Sequence, residues 1–383
     1  MGPGRFACED VCRAGYGWVV ASHFSSDPPI RVLDLFSGAG GLSEGLTAAS
    51  SRFKTVRAVE FDLAAAATYE ANHGVNTVYA GPIQDWLRSE DVPGADLIIG
   101  GPPCQGFSPL GKRDLSDERN QLWEYYAETI RQATPKYFVL ENVPAFLDSE
   151  QFNRFLNKTR GNGALRNYRF EAKVLNAAEY GAAQIRKRVI LIGHHRDLAF
   201  PGFPTIPTEY RTPTGWATLK EVLAGVESSV ETTELPARVH GFAGRSFAGP
   251  FNSTELHVTR RYEQISRDRF KAIKPGGNRF DLPDELKAPC WRKHTTGSAD
   301  VMGRLRWDRP SVTIRTEFFK PEKGRYLHPT EDRALTHLEA ARIQGFRDDY
   351  RWIGSKTSIA RQIGNAVPIP LGKAVGEHLS SHL

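Results

Sequence analysis

Cysteine is scarce in this chain. Its 383 residues include only four, Cys8, Cys12, Cys104 and Cys290. Cys8 and Cys12 have neither a second pair nor a histidine cluster beside them, so no zinc-ligand spacing is present and no metal is expected. With so few scattered thiols, a reduced cytosolic protein is the plain reading. No apolar run is long enough to span a bilayer and no signal-peptide pattern is evident, so no membrane partner is expected. The chain also lacks internal repeats and low-complexity segments. It is long enough for two domains, or for one large domain with an insertion.

Acidic charge is in deficit. Lys and Arg number 50 against 44 Asp and Glu, giving a formal charge of +6 and a sequence pI of about 9.1. The excess is modest but suits a polyanionic partner. It is also uneven: residues 255–326 hold 17 Lys and Arg against 10 Asp and Glu.

One stretch organises the rest, Asp96–Leu110, read D-L-I-I-G-G-P-P-C-Q-G-F-S-P-L. Leu97, Ile98 and Ile99 form a short apolar run bounded by Gly and Pro, as at the end of a buried parallel strand. Gly100 and Gly101 permit a tight turn, Pro102 and Pro103 stiffen its exit, and Cys104 follows. A rigid turn at the carboxyl end of a buried strand is where open α/β sheets bind ligands. A free structural cysteine is the ordinary fate of a lone thiol. The flanking Pro, Gly and Ser are poor core formers, however, and favour a reactive one.

The sequence predicts a first strand over Ile30–Phe36, the turn Ser37-Gly38-Ala39-Gly40-Gly41 and a helix over Leu42–Ala49. Gly38-x-Gly40 before a helix, with the acid Glu60 about 20 residues on, also fits a dinucleotide site. Ser43 breaks the full G-x-G-x-x-G pattern. Arg57–Glu60 is a second strand ending in an acid that can accept two ribose hydroxyls, and Asp62 is an N-cap for a helix over 64–72. Leu122–Ala133 has helical spacing. Tyr137–Leu140, Tyr168–Asn176 and Val189–Gly193 read as strands, with Glu141-Asn142-Val143 directly after the first of these. Alternation before Val189 points Arg186 and Arg188 to one side.

Six motifs in order carry a resemblance. They are D-L-F-S-G-A-G-G (34–41), P-P-C-Q-G-F-S (102–108), E-N-V (141–143), Q-I-R-K-R (184–188), R-A-L-T-H-L-E-A-A-R-I-Q-G-F (333–346) and Q-I-G-N-A-V-P (362–368). Together they resemble the DNA cytosine-C5 methyltransferases of bacterial type, over roughly residues 31–380. The resemblance implies an α/β fold: a doubly wound, Rossmann-like domain that binds S-adenosyl-L-methionine, and a smaller, strand- and loop-rich target-recognition domain. The expected division is a loosely ordered tail (1–29), a catalytic domain (30–194 and 358–383), and a recognition domain with hinge (195–357).

Residue roles follow from the same resemblance. Cys104 would attack cytosine C6, with Glu141 on N3 and the exocyclic amine, Arg188 on O2, Arg186 beside it and Ser108 on the DNA backbone. Phe36, Ser37, Gly38, Ala39, Gly40, Gly41, Glu60, Phe61, Ile83, Pro102, Asn365, Ala366 and Val367 would hold the cofactor. One departure is plain: where relatives carry an acid that meets the adenine amine, this chain has Pro82, and Asp85 is the nearest substitute. The implied partner is double-stranded DNA, with a monomeric, cytoplasmic enzyme and, among the partners the resemblance allows, a cognate restriction endonuclease.

Residues 195–310 lose strand–helix alternation and are read as strands and loops. Arg260, Arg261, Arg267, Arg269, Phe270, Lys271, Trp291, Arg292, Lys293 and His294 interleave basic and aromatic side chains, as phosphate and base contacts require. Arg333–Phe346, with a helix at Thr336–Gln344, is read as structural. Three other readings remain open: an RNA cytosine methyltransferase, a catalytically silent DNA-binding module, and an NAD-dependent dehydrogenase, the last leaving P-P-C-Q unexplained.

Overall fold

The computed structural model describes residues 27–103, 121–293 and 296–383. Cys8, Cys12, Cys104, Ser108, the loop 105–120 and His294 lie outside them.

Seven strands make the central sheet: β1 (Ile30–Leu35), β2 (Phe53–Glu60), β3 (Val78–Ala80), β4 (Leu97–Gly100), β5 (Tyr137–Asn142), β6 (Tyr168–Asn176) and β7 (Lys187–His195), in the order β3-β2-β1-β4-β5-β7-β6. The first five pair in parallel, while β7 runs antiparallel to both β5 and β6. Apolar residues at successive positions of the central strands face opposite layers. Ile30, Val32, Leu97, Ile99 and Val139 pack with α1 (Gly41–Ala49) and α11 (Ile369–Ser380). Leu33, Leu35, Ile98, Phe138 and Leu140 pack with α3 (Ile83–Ser89), α4 (Leu122–Ala133) and α5 (Glu150–Lys158). Helix α2 (Leu63–His73) flanks β2 and β3 and is capped by Asp62, whose side chain accepts from the Ala64 and Ala65 amides. That cap is the one expected from sequence.

The chain reverses direction across the sheet between β1 and β4. Leu35 and Gly100 are register partners there, so the turn after β1 and the turn after β4 open side by side. Open α/β sheets bind ligands at this crevice. Glu60, at the end of β2, and Glu141, near the end of β5, lie on the same carboxyl edge.

Three strand predictions shift at that edge, one being the strand expected over Val189–Gly193, which begins at Lys187. β1 stops at Leu35, and Phe36 takes a left-handed φ of 58° as the chain turns. β5 continues through Asn142, so Glu141 lies within the strand, not after it. The reason is the antiparallel neighbour: β7 offers Ile190 to Glu141 and Val189 to Asn142, extending the ladder beyond its parallel part.

The rest of the chain is less regular. It carries α6 (Leu219–Val222), β8 (Val239–Phe242), β9 (Arg245–Ala248), β10 (Phe251–Asn252), α7 (Gln264–Ala272), α8 (Pro289–Lys293), α9 (His337–Gln344), β11 (Arg351–Trp352) and α10 (Lys356–Asn365). Its ladders are two short pairs, β8–β9 and β10–β11; much of the remainder is turns and short helices. One apolar cluster joins Leu219, Phe251 and Leu256 to Ile343, Ile359, Ile363 and Ala39. A second, smaller one holds Phe270, Ile273, Leu282, Met302 and Leu327. Phe270 is therefore a core residue on the inner face of α7, not an interfacial aromatic. Among the described residues, no helix is long and apolar enough to cross a membrane.

Candidate active site

Pro102 and Pro103 precede Cys104 in the chain, and the neighbouring strand holds their turn. Asn142 at the end of β5 donates its amide Nδ2 to the Pro102 carbonyl at 3.0 Å, and its own Oδ1 accepts from the Val143 amide at 2.8 Å. The asparagine of E-N-V is thus a staple between β5 and the proline turn. Gly101 completes the fit: a Cβ there would come 2.8 Å from Glu141 Oε2. Only a bare Cα lets the Glu141 carboxylate lie against this turn.

Glu141 pairs with Arg188, Oε1 to Nε at 2.8 Å, and each side chain is only 14% exposed. Arg188 stands at the start of β7, which reaches the same edge because it is antiparallel to β5. The pair offers an acceptor and a guanidinium side by side, a match for a ligand edge with both donor and acceptor atoms.

Arg186 is used differently. It is buried, and donates to the Ile314 carbonyl at 2.7 Å and the Gly364 carbonyl at 2.9 Å. Burial, with Arg188 nearby, pulls its pKa down to about 9. Gln184, two residues back, donates to Gln344 Oε1 at 2.6 Å and accepts from the Ile314 amide at 3.1 Å. Q-I-R-K-R therefore seams the sheet to α9, α10 and residues 311–314, with Arg188 the one guanidinium of the two that meets Glu141.

The turn after β1 is fastened from several directions. Glu60 Oε2 accepts from the Gly38 amide at 2.8 Å and Oε1 from the Asp62 amide at 2.7 Å. The Phe61 amide also interacts with this carboxylate, which as a group of about four lone-pair sites still has acceptor capacity to spare. Burial raises the Glu60 pKa above the ordinary carboxylate value. Ala366 and Val367, after α10, close on the turn from the other side: a Cβ on Gly41 would lie 2.8 Å from the Val367 carbonyl and 3.0 Å from Ala366 Cβ. Asn365 ends α10 and is exposed. Ser37 Oγ is buried with no hydrogen-bond partner among the described residues. Phe61 beside Glu60 is 73% exposed, an open ring face. Ile83 is packed into the core in the first turn of α3, Pro82 is that helix's N-cap, and Asp85 pairs with Arg88 at 3.2 Å. An orphaned hydroxyl, a carboxylate with spare acceptor capacity and an exposed ring fit a nucleoside cofactor.

Beneath the turn lies a group that sequence reading passed over. Asp34, buried on β1, accepts from Ser43 Oγ at 2.6 Å, and Ser43 is 2.9 Å from the Tyr69 hydroxyl. Burial, opposed by that hydrogen bond and aided by Glu60, raises the Asp34 pKa to about 7. Asp34 sits inside the D-L-F-S-G-A-G-G motif, but nothing in a sequence shows how deeply its side chain is buried.

Of the basic residues expected on the recognition region, Arg260, Arg261, Arg267, Lys271, Arg292 and Lys293 are exposed. Arg260 lies over the Tyr262 ring and Arg269 over Trp291, and Arg269 also donates to the Leu286 carbonyl at 2.7 Å. Cys290 is an exposed free thiol.

A doubly wound sheet with a nucleoside-type turn at its reversal point and an acid–guanidinium pair farther along the same edge is the framework of a Rossmann-like methyltransferase. The description "C-5 cytosine-specific DNA methylase" matches residues 30–381, and the chain belongs to that family. It is a DNA cytosine-C5 methyltransferase. It is 32% identical to the type II methyltransferase M.XorII of Xanthomonas oryzae pv. oryzae, over 92% of this chain and 84% of that protein. It is also 32% identical to the type II methyltransferase M1.HphI of Haemophilus parahaemolyticus, over 91% of this chain and 86% of that one. The solved S. pombe Dnmt2 methyltransferase shares the fold, with a TM-score of 0.60 and 18% identity over 92% of this chain and 99% of that one.

Proposed function

We propose that this enzyme flips a cytosine out of duplex DNA and methylates it by covalent catalysis from Cys104. The observation that carries this reading is the Glu141–Arg188 pair, held beside the proline turn that leads into Cys104. Cytosine C5 is a weak nucleophile. Addition of the Cys104 thiolate to C6 makes C5 enamine-like. Glu141 holds N3 and the exocyclic amine as charge develops, and Arg188 holds O2. After C5 is methylated, loss of its proton expels the thiolate and restores the ring.

The cofactor is S-adenosyl-L-methionine, which when bound supplies an electrophilic methyl on sulfur. Phe36, Ser37 and the glycines of the turn would hold it, with Glu60 on the ribose, Phe61 on the adenine face, and Ala366 and Val367 closing the turn. Asp85 is engaged with Arg88 and leaves the adenine amine to other groups. Arg186 is a brace for the edge on which Arg188 acts. By the family resemblance, the loop 105–121 would close over the flipped base, with Ser108 on the DNA backbone.

The 195–357 region reads the DNA. Its exposed arginines and lysines position phosphates, and a flipped base requires such a grip on the duplex. The relatives' names, type II methyltransferases, support a place in a restriction–modification system; a cytoplasmic monomer acting beside a cognate endonuclease is part of the proposal.

The test is methyl transfer from labelled cofactor to duplex DNA and, separately, to RNA, followed by bisulfite sequencing of the methylated DNA. Transfer to cytosine C5 of duplex DNA, at a fixed sequence and lost in Cys104→Ser, is expected. Transfer to RNA alone, or retained by Cys104→Ser, would overturn the proposal.

A further inference from the structure

Residues 347–354 form a strap bonded on both sides. On one side β11 pairs with β10, Trp352 Nε1 donates to Ser253 Oγ at 2.9 Å, and the Gly354 amide donates to the Ala248 carbonyl at 2.8 Å. On the other, Arg347 pairs with Glu44 of α1 at 2.7 Å, the Arg351 amide donates to Asn72 Oδ1 at 2.9 Å, and the Ile353 amide donates to Thr68 Oγ1 at 2.9 Å. Tyr350 lies between these anchors. Its ring is fully buried against Phe346 and Trp352, and its hydroxyl donates to the carbonyl of Ala39. A Cβ on Gly40 would come 3.0 Å from that hydroxyl and 2.5 Å from His73 Nε2.

Gly38 and Gly40 both take positive φ, 55° and 90°, so this turn has little intrinsic preference for one shape. Glu60 fixes its Gly38 end. Within the turn the Gly40 amide donates to the Ser37 carbonyl at 2.9 Å; the strap holds the same peptide unit at its other end, the Ala39 carbonyl, from more than 300 residues along the chain.

We propose that Tyr350 is a positioning residue for S-adenosylmethionine: through the Ala39 carbonyl it holds the turn after β1 in its cofactor-binding shape. This rests on the reading of that turn as the cofactor site. Tyr350 touches no reacting atom, so its contribution falls on cofactor affinity rather than on chemistry. The protein pre-organises the turn and thereby avoids the cost of ordering it upon binding.

Tyr350→Phe keeps the buried ring and removes only the hydroxyl. On the full-length protein, cofactor affinity measured by titration calorimetry is expected to weaken roughly three- to ten-fold, the scale of one neutral hydrogen bond. The cofactor KM rises with it, while kcat at saturating cofactor and the affinity for duplex DNA stay within about two-fold of wild type. Unchanged cofactor affinity overturns the proposal, as does an equal loss in all three quantities, which would mark a merely structural role. Glu60→Gln separates this from the underlying reading. If Glu60→Gln weakens cofactor binding and Tyr350→Phe does not, only the role of Tyr350 fails. If neither does, the turn is not the cofactor site.

Discussion

Gly101 and Asp34 show how much of this site depends on what lies behind it. The Glu141 carboxylate occupies the space a side chain at position 101 would need, 2.8 Å from the Cβ that Gly101 lacks. Gly101→Ala should therefore push Glu141 off Arg188 with the fold intact. Methylation should fall by one to two orders of magnitude, since misplacement of about 1 Å costs roughly 10²-fold, while circular dichroism and cofactor affinity are unchanged. Wild-type turnover in Gly101→Ala would mean that Glu141 is not held where the mechanism needs it.

Asp34 gives a pH signature. Its folded pKa of about 7 lies above its ordinary 3.8, so between these values the folded state holds a proton that the unfolded state has lost. Stability from this group therefore falls as pH rises through that window, by up to about 1.4 kcal/mol per unit, and is constant above it. Asp34→Asn removes the titration. Urea unfolding across the window should show wild type losing stability relative to Asp34→Asn as pH rises. A difference independent of pH would contradict the assignment.

Helix α9 carries its own buried charge pair. Arg333 and Glu339 make two hydrogen bonds, at 2.7 and 2.9 Å, and Glu339 also accepts from the Thr336 amide at 2.7 Å to complete the N-terminal capping box. Removing one partner strands the other in the core, so Glu339→Gln should cost about 3–5 kcal/mol. Replacing both, Arg333→Met with Glu339→Met, should cost less than the sum of the single changes in a denaturant-based double-mutant cycle. Strict additivity would show that the two side chains do not stabilise one another. The resemblance marks the R-A-L-T motif as structural; the structure adds that its Thr336, with Glu339 three residues on, is the capping box that starts the helix. The partner Arg333 lies outside that pattern, and only the fold brings it onto Glu339.

The same division holds for the other elements. Strands and helices of the seven-stranded sheet and its flanks were readable because buried parallel strands are short apolar runs and their helices keep a 3.6-residue period; α4 and β6 have the bounds expected from sequence. The extension of β5 past Leu140 was not, because it depends on β7 arriving antiparallel. The 195–310 stretch was legible only as a break in pattern. Its cores are built from residues far apart in sequence, and Phe270, one aromatic among many basic residues, carries no local mark of being buried.

Across the whole molecule, the candidate site is a meeting of distant segments at one sheet edge: Glu60 from β2, the proline turn after β4, Glu141 and Asn142 from β5, Arg188 from β7, and Val367 from the return of the chain. Motifs in the sequence identified most of these residues by type. Their coupling came from side chains that no motif weighs, such as Asn142 reaching the Pro102 carbonyl and Arg186 reaching the Ile314 and Gly364 carbonyls. The proposed mechanism makes one demand of the assembled enzyme: a covalent bond to cytosine C6 that needs both Cys104 and Glu141. DNA carrying 5-fluorocytosine at the target tests it, because fluorine at C5 blocks the final loss of a proton. With S-adenosylmethionine present, wild-type protein should form a stable adduct visible by intact mass, with the DNA attached at Cys104. Cys104→Ser should form none, and Glu141→Gln should form it 10²–10⁴-fold more slowly. An adduct in Cys104→Ser, or equal rates in wild type and Glu141→Gln, would contradict the account.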